Sequence, residues 1–177
     1  MNLILAAIVS MLTISAHAEE VWFEGKARWW DDGDTPVLHF RLQGIDAPEK
    51  KQLCEDAQGQ CYACGKKSTA AMKAMGKGKL RYRFWEAGRY GRPVVSAFTG
   101  DVDLQLELIR QGWAIVFRRY VPAELKESYI AAEDEAKAAK RGMWQGKFIT
   151  PSKWRKGERL ACEGQLIHDG FRLDSGV

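Results

Sequence analysis

Apolar and polar positions change period several times along this chain, and each change marks an element. Residues 21–30 are rich in aromatic and β-branched side chains and predict a strand. Asp32-Gly33 follows as a hairpin-turn signal. Residues 37–45 predict one or two further strands, with Pro36 at the first position of an edge strand and Gly44 at a bulge. Turn residues dominate 46–64, which predicts a loop. Ala and Met then recur at helical spacing over 65–75. Residues 79–85 and 93–99 predict two strands joined by a turn over 88–91. Leu104, Leu108 and Ile109 mark one face of a short helix ending near Gly112. Residues 113–120 fit neither period. Pro122 stands where a first helical turn begins, and a long helix is predicted from there to about Arg141, with Gly142 as its C-cap. Five short strands with helices inserted and appended predict an α+β domain, mainly a small β-barrel with a helical flank.

The two ends of the chain differ from this body. Residues 3–14 are an uncharged apolar run, followed by Ala16-His17-Ala18, a small-x-small cleavage site. The run is too short for an ordinary membrane span. The expected organisation is a signal peptide over 1–18, one domain over 19–147 and a tail over 148–177. The expected product is exported, periplasmic or secreted, a monomer, with no membrane insertion once the signal is removed. The tail is basic first, with Lys153, Arg155, Lys156 and Arg159, and then mixed. Its Trp154 and Cys162 point to a segment folded back on the domain; a flexible basic arm is the alternative.

Composition narrows the class. The 177 residues carry 27 Lys and Arg against 23 Asp and Glu, a formal charge of +4. That mild excess is compatible with a nucleic-acid partner without requiring one. A hydrophobic content of 46% is ordinary for a globular protein and excludes wholesale disorder. Four cysteines in an exported chain favour disulfides, and three pairings are open. Cys61-Tyr62-Ala63-Cys64 is a CxxC, yet a zinc site needs a second CxxC or a His pair. A redox pair needs the motif to open a helix in a βαβ unit. Neither context is present.

The densest chemistry lies between Asp32 and Glu49. Asp32, Asp34, Asp46 and Glu49 fall within 18 residues, with Arg41 among them. Carboxylates crowd together when a cation offsets their repulsion, and a hard metal ion is the usual one. A nearby arginine points to an anionic substrate such as a phosphate. Each residue also has a plainer reading: Asp34 as a turn-capping aspartate, Arg41 and Arg92 as surface arginines, Glu49 as an exposed loop glutamate.

The motifs taken in order carry more than any one of them. Asp32-Gly33-Asp34-Thr35, then Arg41-Leu42-Gln43-Gly44-Ile45-Asp46-Ala47-Pro48-Glu49, then Arg89-Tyr90-Gly91-Arg92, then Arg110-Gln111-Gly112-Trp113-Ala114 resemble the staphylococcal nuclease (thermonuclease) family, over about residues 21–144. The resemblance implies an OB-fold five-stranded barrel with three helices. It implies a calcium ion and hydrolysis of DNA and RNA at low sequence specificity. On that resemblance Asp34, Asp46 and the carbonyl of Ala47 hold calcium, Ala47 standing where the family often has Thr. Glu49 acts as general base toward water, leaving a 3′-phosphate and a 5′-hydroxyl. Arg41 and Arg92 clamp the attacked phosphate, since two guanidiniums offer bidentate forks that lysine lacks. Arg89, Tyr90 and Tyr120 contact substrate. Arg118 replaces a position that is often aromatic, and Gly88 one that is often Asp. The resemblance also implies Cys54 with Cys64, which leaves Cys61 for Cys162.

Other conspicuous residues have plainer expectations. Trp22, Trp29, Trp30, Trp85, Trp113 and Trp144 read as core and rim aromatics, and Tyr90 and Tyr120 have the same alternative. His39 and His168 lack convergent partners and are assigned to no metal. Lys137, Lys140 and Arg141 read as a solvated helix face. Two other functions remain open beside the nuclease. One is a non-catalytic OB-fold module binding nucleic acid or protein; the other is an accessory protein in envelope or polysaccharide assembly.

Overall fold

The computed structural model describes residues 27–88 and 91–163. The expected signal peptide, Trp22, Arg89, Tyr90, His168 and the end of the tail lie outside the described residues. Strands β1 (Ala27–Trp30) and β2 (Pro36–Leu38) form an antiparallel hairpin across the Asp-Gly turn. Next come β3 (Arg41–Leu42) and β4 (Ile45–Asp46). Gly44 sits in the turn between them at φ 74°, a left-handed conformation that glycine adopts without cost, rather than in a bulge. The expected loop over 46–64 contains a two-residue hairpin, β5 (Cys54–Glu55) with β6 (Cys61–Tyr62). Pairs this short carry no readable period.

Helix α1 (Cys64–Met75) leads to the long antiparallel pair β7 (Arg81–Gly88) and β8 (Arg92–Thr99). β8 is central: β3 pairs with it in parallel, β7 lies on its other side, and β9 (Val102–Asp103) extends its far end. Asp103 then caps α2 (Leu104–Arg110), its carboxylate accepting from the N–H groups of Gln105 and Leu106. The ambiguous stretch 113–120 holds β10 (Ile115–Val116), antiparallel to β4. Helix α3 (Ala123–Ala138) and the short α4 (Pro151–Arg155) complete the chain, with a 3₁₀ turn at Gly142–Gln145 between them. The architecture is α+β and OB-fold-like, with mixed sheets.

Helix α3 ends earlier than its sequence predicts. Lys140 takes a left-handed φ of 50°, donates to the Lys137 carbonyl, and lets Arg141 donate to the Ala136 carbonyl. This is a Schellman closure with lysine in the position glycine usually takes. Gly142 opens the next turn instead.

Ile45, Leu108, Ile109, Ala114, Val116, Val121, Tyr129 and Ala132 form the main core between β4, β10, α2 and α3. Two buried polar side chains tie its parts together. Gln105 accepts from the Ala97 N–H and donates to the Val95 carbonyl, joining α2 to β8. Glu133, 1% exposed, accepts from the Val116 N–H at 2.8 Å, from Arg118 at 2.6 Å and from Lys137 at 2.8 Å. Arg118 is thus part of an ion pair, and Lys137, which also lies over the Trp144 ring, is more than a solvated lysine.

Burial alone would raise the Glu133 pKa. The hydrogen bonds from Lys137, the Val116 N–H and Arg118 outweigh it and hold the carboxyl below the usual range. A depressed folded-state pKa stabilises the fold above the unfolded-state value, and that contribution is lost as pH falls through the folded value. Glu133→Ala orphans the Val116 N–H and should cost roughly 1–3 kcal/mol at pH 7. Its deficit against wild type should shrink below about pH 4, where wild type loses the same contribution. Urea unfolding at pH 7 and pH 3.5 checks both; a deficit independent of pH contradicts the charge argument.

The bridges are Cys54–Cys64 and Cys61–Cys162, so neither cysteine of the CxxC is a free thiol. Two disulfides fit an oxidising compartment. The first joins β5 to the start of α1; the second ties the tail to β6. Among the described residues no helix is long and apolar enough to cross a membrane.

Candidate functional site

The sheet register places the two arginines. Arg41 on β3 pairs with Val94 on β8, and Arg92 lies two residues before Val94 on the same strand. Paired residues share a face, as do residues two apart, so Arg41 and Arg92 project from one face of adjacent strands. Both are exposed, and neither makes a salt bridge among the described residues. Glu86 on β7, also level with Val94, joins them. Together with Phe117, Tyr120 and Arg155 they line an open groove of about 490 Å³. Tyr120 is 50% exposed and stacks edge-on against Phe117 at 4.7 Å, so its ring is available at the surface. Gly88 also lines the groove. A Cβ there would come within 2.2 Å of the Arg92 carbonyl oxygen, so no larger residue fits without a backbone shift.

The carboxylates converge from the next turn. β10 holds β4 so that Asp46 pairs with Ile115 and is 5% exposed. Glu49 follows three residues later in a turn fixed by Gln52. Gln52 is fully buried; its side-chain oxygen accepts from the Glu49 N–H, and its amide donates to the Ile149 carbonyl at 2.6 Å. Both acids meet one cation, the guanidinium of Arg155. Its Nη1 and Nη2 donate to the two oxygens of Asp46 at 2.9 and 3.0 Å, and Nη1 also donates to Glu49 Oε1 at 2.9 Å. The sequence pattern does not single out either Gln52 or Arg155.

Asp34 is elsewhere. It is exposed on the β1–β2 turn, accepts from its neighbour Thr35, and its N–H donates to Asp32. No group of three or more His, Cys, Asp or Glu among the described residues is arranged to hold a metal ion. The structure therefore joins Asp46 to Glu49, and Arg41 to Arg92 and Tyr120, and leaves Asp34 apart. Asp46 and Glu49 are carboxylate oxygen donors, the ligand type a hard cation takes, and here they are engaged by Arg155.

Helix α1 presses on this turn. Gly65 lies so close that a Cβ would fall 1.8 Å from the Glu49 carbonyl oxygen. Gly65→Ala must push residue 49 or the helix aside. It should cost roughly 1–3 kcal/mol, the usual range for overpacking. Guanidinium unfolding reads the change; an unaltered midpoint contradicts the close approach.

The fold and the groove define an OB-fold-like α+β domain that gathers arginines on a sheet face beside a pair of carboxylates. Residues 39–146 match the family model described as staphylococcal nuclease homologue. The chain belongs to the staphylococcal nuclease family. That match begins after Asp34 and ends before Arg155. Over 132 residues, 69% of this chain, it is 32% identical to a probable endonuclease, LCL3, of Yarrowia lipolytica, and spans 57% of that protein. Over 120 residues, 64% of this chain, it is 34% identical to the succinoglycan biosynthesis protein ExoI of Rhizobium meliloti and spans 61% of it. The chain thus spans less than two thirds of these relatives. An uncharacterized endonuclease of Haemophilus influenzae is 29% identical over 139 residues, 73% of this chain and 71% of that protein.

Proposed function

We propose that this protein is a calcium-dependent nuclease that hydrolyses phosphodiester bonds of DNA and RNA with low sequence specificity. The convergence of Asp46 and Glu49 on one cation, beside a groove that carries Arg41 and Arg92, supports this reading most strongly. Asp46 and the Ala47 carbonyl would hold the ion, with Asp34 brought in from the hairpin. Calcium bound there would make a neighbouring water more acidic and offset phosphate charge. Glu49 would take the proton from an attacking water as that water approaches phosphorus in line, opposite the leaving 5′-oxygen. The bond from phosphorus to the 5′-oxygen breaks and that oxygen takes a proton from solvent water, leaving a 3′-phosphate and a 5′-hydroxyl. Arg41 and Arg92 bind the non-bridging oxygens and offset the charge that grows on them. Tyr120, Arg89 and Tyr90 position the flanking nucleotides through phosphate contacts and base stacking.

Plasmid digestion by wild type and Asp46→Ala, each in calcium and in excess chelator, tests the reading. Wild type should cut only in calcium, and Asp46→Ala should lose most of that activity. Undiminished cutting in chelator contradicts it.

The placement of Asp34 favours a second reading, a binding module that retains the groove without a complete metal site. The ExoI relative's name adds polysaccharide synthesis as a setting in which such a module would serve.

A further inference from the structure

We infer that Arg155 is a resident counter-cation of the Asp46 and Glu49 carboxylates and competes with calcium for them, so that the C-terminal segment restrains the site until metal displaces it. This rests on the calcium reading above. Two carboxylates drawn together repel unless a cation lies between them. Here the guanidinium does so, engaging both oxygens of a nearly buried Asp46 and one of Glu49. A calcium ion taking Asp46 must therefore take oxygens that Arg155 already holds. One positive charge leaves the pair net negative, whereas a divalent ion neutralises it. Arg155 is also able to leave, because its side chain is 38% exposed and its head can move into water.

The segment that carries Arg155 is fixed on both sides. Upstream, the Ile149 carbonyl accepts from Gln52, and the Lys147 carbonyl accepts from the Glu55 N–H. Downstream, Cys162 is bonded to Cys61. Tethered at both ends, the guanidinium stays at high effective concentration over the carboxylates. Its basic neighbours do not share the role. Arg159 donates to the Trp154 and Glu158 carbonyls, Lys153 faces Glu158, and Lys156 is exposed.

The test is calorimetric titration of calcium chloride into the folded, disulfide-bonded wild type, Arg155→Gln, Arg155→Lys and Lys156→Gln, without nucleic acid. A competitor lowers apparent affinity by the fraction of sites it occupies. Arg155→Gln should bind calcium about 5-fold or more tightly than wild type, a modest coupling. Arg155→Lys keeps the charge and loses the fork, so it should fall between the two, and it carries the test if the glutamine variant does not fold. Lys156→Gln removes the same charge one residue away and should stay within about 2-fold, since exposed charges are screened. Wild type that binds calcium no less tightly than Arg155→Gln overturns the competition while the calcium reading stands. Equal tightening by Arg155→Gln and Lys156→Gln also overturns it, as an effect of bulk charge. Binding by none of the four proteins overturns the calcium reading and the competition with it.

Discussion

Glu49→Gln should bind a single-stranded oligonucleotide in calcium as wild type does and cut it roughly 10²-fold or more slowly. A positioned general base contributes about that much or more. Glutamine keeps the shape and the hydrogen bond that Arg155 makes to residue 49, and the turn stays fixed by the Gln52 side chain, which holds the backbone rather than the carboxylate. What is lost is the capacity to accept a proton and one negative charge of the pair; the groove arginines that hold the oligonucleotide are untouched. Binding should weaken with salt in both proteins, because the groove arginines displace counterions from phosphates. Single-turnover cleavage alongside a filter-binding titration separates the two effects. Equal cleavage by both proteins removes Glu49 from the chemistry; equal binding with cleavage by neither favours the binding module.

Arg41→Lys and Arg92→Lys should each lower the cleavage rate by roughly 10²-fold or more, with little loss of stability. Both side chains are exposed on one sheet face and hold no ion pair among the described residues, so the fold does not depend on them. Lysine keeps the charge but replaces a planar fork with a point charge. Contacts that strengthen only as charge develops on the phosphate appear in kcat rather than in binding. The comparison of kcat with unfolding midpoints for each variant decides the matter. Near-normal turnover in either variant places that arginine outside the reaction centre.

The parts of the fold legible in the sequence are those fixed by local chemistry. The Asp-Gly turn, the β7–β8 pair and the Asp103-capped helix α2 each carry their signal within a few residues. Other boundaries depend on the chain's surroundings. Helix α3 ends at Ala138 and is closed by Lys140, a residue with no preference for a left-handed turn, because the following segment turns into the packed Gly142–Gln145 turn. The β5–β6 hairpin holds where a disulfide and the Lys147 carbonyl brace it.

The site divides in the same way. Arg41, Asp46 and Glu49 lie in one contiguous motif, and the structure keeps that motif beside the groove. Arg92 joins them through strand register, which the motif order anticipates. Arg155 is one of four basic residues within seven positions, and nothing in that composition distinguishes it. Its role appears only when the tail folds back across more than 100 residues to Asp46. Asp34 is the converse case. Its motif is plain in the sequence, yet the hairpin turns it to solvent.

Under the proposed function, the arginine groove and the Asp46–Glu49 pair make a calcium-dependent nuclease. Cleavage of end-labelled single-stranded DNA and RNA by folded, disulfide-intact wild type, in calcium and in excess chelator, tests it most directly. Both should be cleaved in calcium, with 3′-phosphate and 5′-hydroxyl ends, and neither in chelator. No cleavage of either substrate in calcium would contradict it.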